Sequence, residues 1–508
     1  QVVDVEKGGP IDVDDPLRRE SVIIESASNI IIDSQVKNQS DSNSVVMGLI
    51  ARHYSWLGDD LQKNAYGSYY LKADKKLLIQ SISEGASSNK LAGIVLEVNE
   101  ELVSGKENEN VFRGKNVEIV VSGKKAENKL NTEYHIYQDI WGDSDASAVE
   151  LLNGTISITG DESVALLVDV SESANKVRGL ASAAETTGAI DKGSDTGLFQ
   201  YVSADGKGLL YLSKGQSTSK IESEHGSIEI KASAGRANEV QGVLWRSSGL
   251  NQLDAANELK VIAAVGGAKT DSLRVAGLDL QKGPTKMDAS NAYIAGELIS
   301  NNGAVSIGFV YGIALSGDGT SLKGPNGVLT VVALAQNDQQ ALASVTAVHG
   351  ADTASLNVES SREAAFVAQT EGTGAVTGID WQSSEAGTVN SSGNITVLAS
   401  AIGDEVSRET VAGISVVSGA VNLSTQRRIA VSAGGLQRTG DVYGIRASNA
   451  FSNPSSAPNV SLDGDWLNIG AVADPDGRSI AVAADESGSV NLEASSNAQV
   501  GASDFAFL

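Results

Sequence analysis

The sequence predicts an all-β chain folded as a right-handed three-sided parallel β-helix. Three observations carry that expectation: a recurrent short motif, a division of each period into three alternating runs, and a composition suited to a narrow interior. The motif is V-x-G-[LIV], found in EVQGVL, RVAGLDL, FVYGIAL, AVTGIDW, TVAGISV and DVYGIRA. Its glycines, Gly242, Gly277, Gly312, Gly378, Gly413 and Gly444, are separated by 35, 35, 66, 35 and 31 residues. The long interval divides into 35 and 31 when Ala347 of SVTAVHG takes the glycine position. From Ala412 a period reads AGISVVSG, AVNLSTQ, RIAVSAGG, three apolar-alternating runs each closed by turn residues, which is how short strands read. Such a unit cannot bury its apolar face alone, whereas stacked copies make three parallel sheets around one core. With 41% hydrophobic but only 5% aromatic residues, and 54 glycines, the chain fits an interior filled by Val, Ile, Leu and Ala. Glycine and asparagine supply the corners that need positive φ. Roughly twelve coils at about 4.8 Å each would stack to a length on the order of 60 Å.

Taken in order, residues 1–90 are expected to form an N-terminal cap or irregular first coils, and residues 91–508 the repeat region. The early copies are degenerate: LAGIVLEV, NVFRG and NVEIVVSG from Leu91, then GLFQYVS, LLYLSKG and SIEIKASAG from Gly197. A β-propeller would need four strands per blade and a recurrent aromatic signature, yet Trp56, Trp141, Trp245, Trp381 and Trp466 follow no visible period. Helical solenoids are disfavoured because few segments carry apolar residues at i, i+3, i+4, i+7.

Charge and missing residues narrow the chemistry. Lys and Arg number 38 against 63 Asp and Glu, a net charge of −25, which repels phosphate, so no nucleic-acid partner is expected. The chain contains no cysteine, which removes disulfides, thiolate metal sites, iron–sulfur clusters and thiol nucleophiles. His53, His135, His225 and His349 lie far apart in sequence, so neither a metal site nor a cofactor is expected. No apolar run reaches the length of a membrane-spanning helix. The start at Gln1, without a basic-then-apolar leader, suits a mature exported protein. Gly142-Asp143-Ser144-Asp145 departs from the GDSG of trypsin-like proteases at its fourth position and lacks a nameable triad. Asp463 with Asp465, and Asp474 with Asp476, are paired carboxylates that a polysaccharide-cleaving β-helix could use, although beside Gly464 and Gly477 they also fit turn chemistry. SGDGTSL at Ser316 carries one fragment of a Gly/Asp calcium repeat, too little for a site. The chain is not expected to be an enzyme. One cluster stands out as a candidate binding site: Tyr54, Trp56, Tyr66, Tyr69 and Tyr70, followed by Lys72, Lys75 and Lys76. Aromatic faces beside ammonium groups suit a sugar or a protein partner. The same tyrosines could equally plug the open end of the stack.

The Ala/Gly/Ser/Val-rich three-strand coils from Leu91 to Ala498, the absence of cysteine and the acidity resemble the passenger domain of a bacterial type V autotransporter, in particular the adhesins of the AIDA and antigen 43 group. The V-x-G-[LIV] coils differ from the Asn-Gly-Gly-rich repeats typical of antigen 43. The resemblance implies a bacterial cell-surface, outer-membrane or secreted location, reached through a translocator β-barrel that is not part of this sequence. It implies an adhesin that binds a host extracellular-matrix protein or glycan, or that pairs with another copy of itself between cells, with aggregation and biofilm as outcomes. A polysaccharide-active β-helix enzyme and a purely structural surface rod are the alternatives. For self-association, the Lys-rich first 130 residues and the acidic later coils offer complementary patches.

Overall fold

The structure, a computed structural model, describes residues 22–37, 45–51, 55–56, 69–84, 88, 90–97, 109–126, 144–183, 210–211, 216–299, 307–336, 344–360, 362–372, 374–402, 409–436, 440–448, 457–474, 477–485 and 487–504. Every element among them is a β-strand. Apart from a short antiparallel contact between Leu210–Tyr211 and Ser55–Trp56, the strands pair in parallel.

The pairing resolves into three ladders that the chain visits in a fixed cycle. One, here the glycine ladder, runs from Val45–Ala51 through Lys90–Glu97, the start of Ala146–Ala174 and Lys176–Ser182. It continues through Glu239–Trp245, Ser272–Leu280, Ile307–Leu315, Ser344–Gly350, Ala375–Trp381, Val411–Val416 and Val442–Ala447 to Ser479–Ala484. A first flank ladder starts at Val22–Ser26 and a second at Ile30–Val36, and both end in Ser489–Asp504. One passage through the glycine ladder, first flank and second flank makes a rung, and each rung bonds the rung before and after it. The three runs per period read from sequence are these three strands.

Strand alternation explains which residues go inside. In Val328–Ala335 the burial pattern alternates, so that Leu329, Val331, Ala333 and Ala335 face inward and Thr330 and Val332 outward, as a period of two requires. Buried side chains from all three ladders merge into one continuous apolar cluster.

In the glycine ladder the alternation breaks, and the motif shows why. Val240, Val243 and Trp245 all join the core, which puts Gly242 and Val243 on the inner side in succession. A Cβ built on Gly312 would lie 2.4 Å from Val331 Cγ1 and 2.7 Å from the Ala347 carbonyl of the next rung. Gly277 meets Ile294 and the Gly312 carbonyl in the same way, at 2.7 Å and 2.8 Å. Close backbone approach therefore demands glycine here. Its opponents form one column of the second flank, Ile230, Val261, Ile294, Val331, Phe366, Val397, Val431 and Ile469, paired in register. Two of the three exceptions to glycine follow the opponent, while the third, Ala481, lies on the last rung of the ladder opposite the exposed Val500. Ala347 falls on the rung whose opponent is Phe366, and Ala148 on the rung whose opponent is Leu166. Phe and Leu are unbranched at Cβ, and the branched methyl that clashes elsewhere is absent there.

Two tryptophans expected to follow no period share one column. The register runs Trp245, Leu280, Leu315, Gly350, Trp381. Both indoles are fully buried, and Nε1 donates to the carbonyl four residues on, Gly249 at 2.9 Å and Glu385 at 2.8 Å. Gly350 makes room for the second, since a Cβ there would come within 2.4 Å of the Trp381 ring. The rung expected from Gly197 is also corrected: its strands are Lys176–Ser182, Ser217–Ser223 and Ser227–Ala234. GLFQYVS lies outside the described residues. The ladders are already present at Val22, within the stretch where a cap or irregular coils are expected.

Gly312→Ala should destabilise the fold by about 1–3 kcal/mol through overpacking, measured by urea denaturation followed by circular dichroism. Adding Val331→Leu, which copies the pairing at Ala148, should recover a substantial part. Equal loss in the single and double variants would disprove the complementarity.

Candidate functional site

The turns that join first-flank to second-flank strands are short and stack into a polar edge. Hydroxyls and amides there pin each rung to its neighbour. Ser163 Oγ donates to Asn116 Oδ1 at 2.6 Å, Asn257 Nδ2 to the His225 carbonyl at 3.0 Å, and Ser290 Oγ to the Ala256 carbonyl at 2.8 Å.

Two open cavities lie along this edge and share Asn326. The larger, about 750 Å³, is lined by carboxylates (Glu359, Asp463, Asp465), amides (Asn326, Asn390) and hydroxyls such as Ser424. The smaller, about 400 Å³, includes Glu222, Asp254 and Asp288. These three acids are directly opposed on successive strands, where like charges repel. Lys220 Nζ relieves Glu222 at 2.5 Å and Asn326 Nδ2 donates to Asp288 at 3.3 Å. Asp254 takes the Gln252 amide on Oδ2, while its buried Oδ1 has no hydrogen-bond partner. In the larger cavity the Ser496 and Ser495 hydroxyls both donate to Asp465 and hold its carboxyl below its ordinary value. An acceptor-rich trough results, to which Arg362 adds one cation, matched to ligands that donate hydrogen bonds, either hydroxyls or ammonium groups.

A second polar assembly lies on the face of the glycine ladder away from the core, and sequence reasoning missed it. Lys90 Nζ bonds Glu150 Oε2 at 2.5 Å and the Ser144 carbonyl at 2.7 Å, with both side chains essentially inaccessible. Ser144 Oγ donates to Glu150 at 3.1 Å and accepts from Arg178 Nη1 at 3.0 Å, and Arg178 reaches Glu239 at 3.2 Å. The serine of GDSD is thus fixed in a buried ion network; Gly142 and Asp143 lie outside the described residues. Further up, Arg274 forms a two-pronged pair with Asp279 at 2.6 Å and 2.9 Å. Its guanidinium lies 5.1 Å from the Tyr311 ring centroid, a cation–π contact. Tyr311 stacks between Phe309 and His349 at 5.9 Å and 5.3 Å, and His349 Nδ1 meets Asp380 Oδ2 at 2.9 Å. Burial disfavours the Arg274 charge, yet Asp279 outweighs it and raises the pKa. Burial pushes the Tyr311 hydroxyl up to about 12, against the pull of Arg274. Arg178, Asp279, Tyr311, His349 and Asp380 occupy the variable positions of V-x-G-[LIV]-x, and Arg274 and Phe309 the position before it, so the signal was in the letters that vary between copies.

The aromatic and lysine cluster divides. Tyr54 and Tyr66 lie outside the described residues, and Trp56 is placed only by its backbone pairing with Leu210. Tyr69, Tyr70, Lys72, Lys75 and Lys76 share the strand Tyr69–Ser83. Tyr69 packs against the core and its hydroxyl donates to the Ile50 carbonyl at 2.8 Å, with burial raising its pKa. Half-buried Tyr70 and Lys72 take the alternate face. Lys75 is exposed at the inter-flank turn, and Lys76 is paired to Glu118 of the next rung at 2.6 Å. The same device neutralises Lys115 with Glu162 at 2.8 Å and Lys125 with Glu172 at 3.7 Å. Among the described residues one group brings three potential metal-ligand atoms within 4.8 Å of one another: Asp161, Glu224 and His225. No helix of the described residues is long and apolar enough to cross a membrane.

No protein-family model, curated protein or solved structure matches this chain.

Lys90→Met should cost about 3–5 kcal/mol, because it strands a buried Glu150 carboxylate. Pairing it with Glu150→Leu should restore most of that in urea denaturation. Tyr311 gives a pH prediction. Its folded pKa lies above the unfolded value of about 10, so its contribution is complete below pH 10 and is lost as pH rises through 12. Stability should fall by about 1.4 kcal/mol per pH unit over that window from this group alone, and Tyr311→Phe should flatten the profile relative to wild type.

Proposed function

We propose that the three ladders are the faces of a right-handed three-sided parallel β-helix and that this stack is a cell-surface adhesin whose ligand is an extended glycan. The observation that carries the reading is the trough along the inter-flank edge, where two cavities that share Asn326 in their linings line up carboxylates, amides and hydroxyls over successive rungs. A sugar polymer presents hydroxyls at a spacing that many rungs can meet at once, and weak contacts then add by multivalency. The acidic lining selects neutral or amine-bearing polymers and repels sulfated or uronate-rich ones. Outward columns add to this surface: Asn357, Thr388, Asn422, Ser461 and Asn491 stand in register on the first flank. A bacterial surface or secreted location belongs to the same proposal. Pairing between copies is supported less, because Lys76, Lys115 and Lys125 are engaged within the chain.

A second reading, polysaccharide cleavage, is favoured by one observation, the presence of Glu359, Asp463 and Asp465 in one cavity. Against it, the Asp465 carboxyl is lowered, whereas a general acid needs a raised value.

The test is binding of the purified chain to neutral, amine-bearing and sulfated glycans, alongside a reducing-end assay. Neutral or amine-bearing polymers should bind, and Glu359→Gln/Asp463→Asn should weaken binding about tenfold or more, in line with loss of charge-assisted hydrogen bonds. Unchanged binding in the double variant would remove the trough from the reading. Release of reducing ends would replace adhesion with catalysis.

A further inference from the structure

We infer that Asp161, Glu224 and His225 form a binding site for a divalent transition-metal ion of the zinc type, one that clamps two adjacent rungs together. Asp161 belongs to the long strand Ala146–Ala174, while Glu224 and His225 form the inter-flank turn of the following rung. In sequence Asp161 and Glu224 are 63 residues apart, almost twice the 32 that separate the opposed Glu222 and Asp254 one rung later. Among the described rungs this is the longest interval in sequence between neighbours.

The backbone beneath the three side chains is fixed. Glu224 N donates to the Gly160 carbonyl at 3.0 Å and His225 N to the Asp161 carbonyl at 2.9 Å. Asn257 Nδ2 holds the His225 carbonyl from the rung beyond at 3.0 Å. Upon this frame Asp161 Oδ1 lies 3.7 Å from His225 Nε2, and one ligand atom from each residue falls within 4.8 Å of the others. A tetrahedral ion with bonds of about 2.0–2.2 Å places its ligand atoms about 3.4 Å apart. Small rotations of exposed side chains close that difference. Arg113, on the strand before that of Asp161, already bonds Glu224 Oε1 at 3.1 Å, and Lys115 of the same strand pairs with Glu162 beside Asp161. A carboxylate has acceptor sites on both oxygens, so it can hold this guanidinium and an ion together. Two carboxylates and one imidazole make a borderline donor set that suits zinc-type ions better than calcium, which seeks six or more oxygens. With three protein ligands, one coordination position stays open to water.

The site is exposed, with His225 at 77% and Asp161 at 50% of full side-chain accessibility, so variants there leave the core intact. Zinc titrated calorimetrically into the full chain, in a non-chelating buffer at pH 7.5, should show one site per chain. His225→Ala and Asp161→Asn should each weaken it at least tenfold, and His349→Ala should leave it unchanged. Amide exchange in Ser217–Ser223 and Ser227–Ala234 should slow with zinc in the wild type and not in His225→Ala. Wild-type binding that survives His225→Ala, or no binding at all, would overturn the site, and an unchanged exchange pattern would overturn the clamp.

Discussion

Everything in this molecule depends on one constraint: each rung lies in register on the last, at the inter-strand spacing that backbone hydrogen bonds set, about 4.8 Å. Equivalent residues are therefore forced on top of one another, and a position is acceptable only if its residue tolerates its own copies above and below. Branched aliphatics satisfy this in the core, where Val261, Ile294 and Val331 stack as a column. The same column leaves no room for a Cβ across the interior, which fixes glycine on the facing ladder. Sequence repetition here is a packing requirement between two specific columns.

Charged residues meet the same constraint with the opposite sign. A column of like charges repels itself, and the chain relieves this chiefly by alternation. Lys76 stands against Glu118 and Lys115 against Glu162 on successive rungs. On the outer face of the glycine ladder, Lys90, Glu150 and Arg178 are interleaved and largely withdrawn from water, where an unpaired member would be costly. Along the inter-flank edge the pattern holds at Lys115 and Glu162 and is broken further on. Glu222, Asp254 and Asp288 follow one another without a cation between them in the column, and one oxygen of Asp254 is left without a partner. Sites where a local rule is broken are where function is to be sought, and this edge is the broken one.

The legible part of the fold was whatever the register writes into the sequence. V-x-G-[LIV] and the three alternating runs gave the strand cycle, because glycine and the β-branched column recur at most rungs. The rung at Lys176–Ser182 was misplaced, since the 63 residues from Gly179 to Gly242 span a single rung, about twice the usual period. Trp245 and Trp381 looked unrelated because Leu280, Leu315 and Gly350 fill the column between them. The candidate site was less legible. Tyr69 looked like a binding aromatic, but strand alternation turns it inward. His225 looked isolated because Asp161 becomes its neighbour only through the stacking. A polar edge assembled from one or two residues per turn has no contiguous motif, whereas a column can be seen only once the register is known.

The direction of the ladder bonds has a mechanical consequence. They run from rung to rung, so tension applied between the first rung and the last pulls on them end-on and loads the outermost rung first. Resistance is then local, set by the bonds and apolar contacts of a single rung, because each rung touches only its neighbours. Under load such a chain would pay out length in increments of one rung, at a roughly constant force, while the remaining rungs stay intact. A tether of this kind dissipates a pull instead of transmitting it whole to whatever its far end holds.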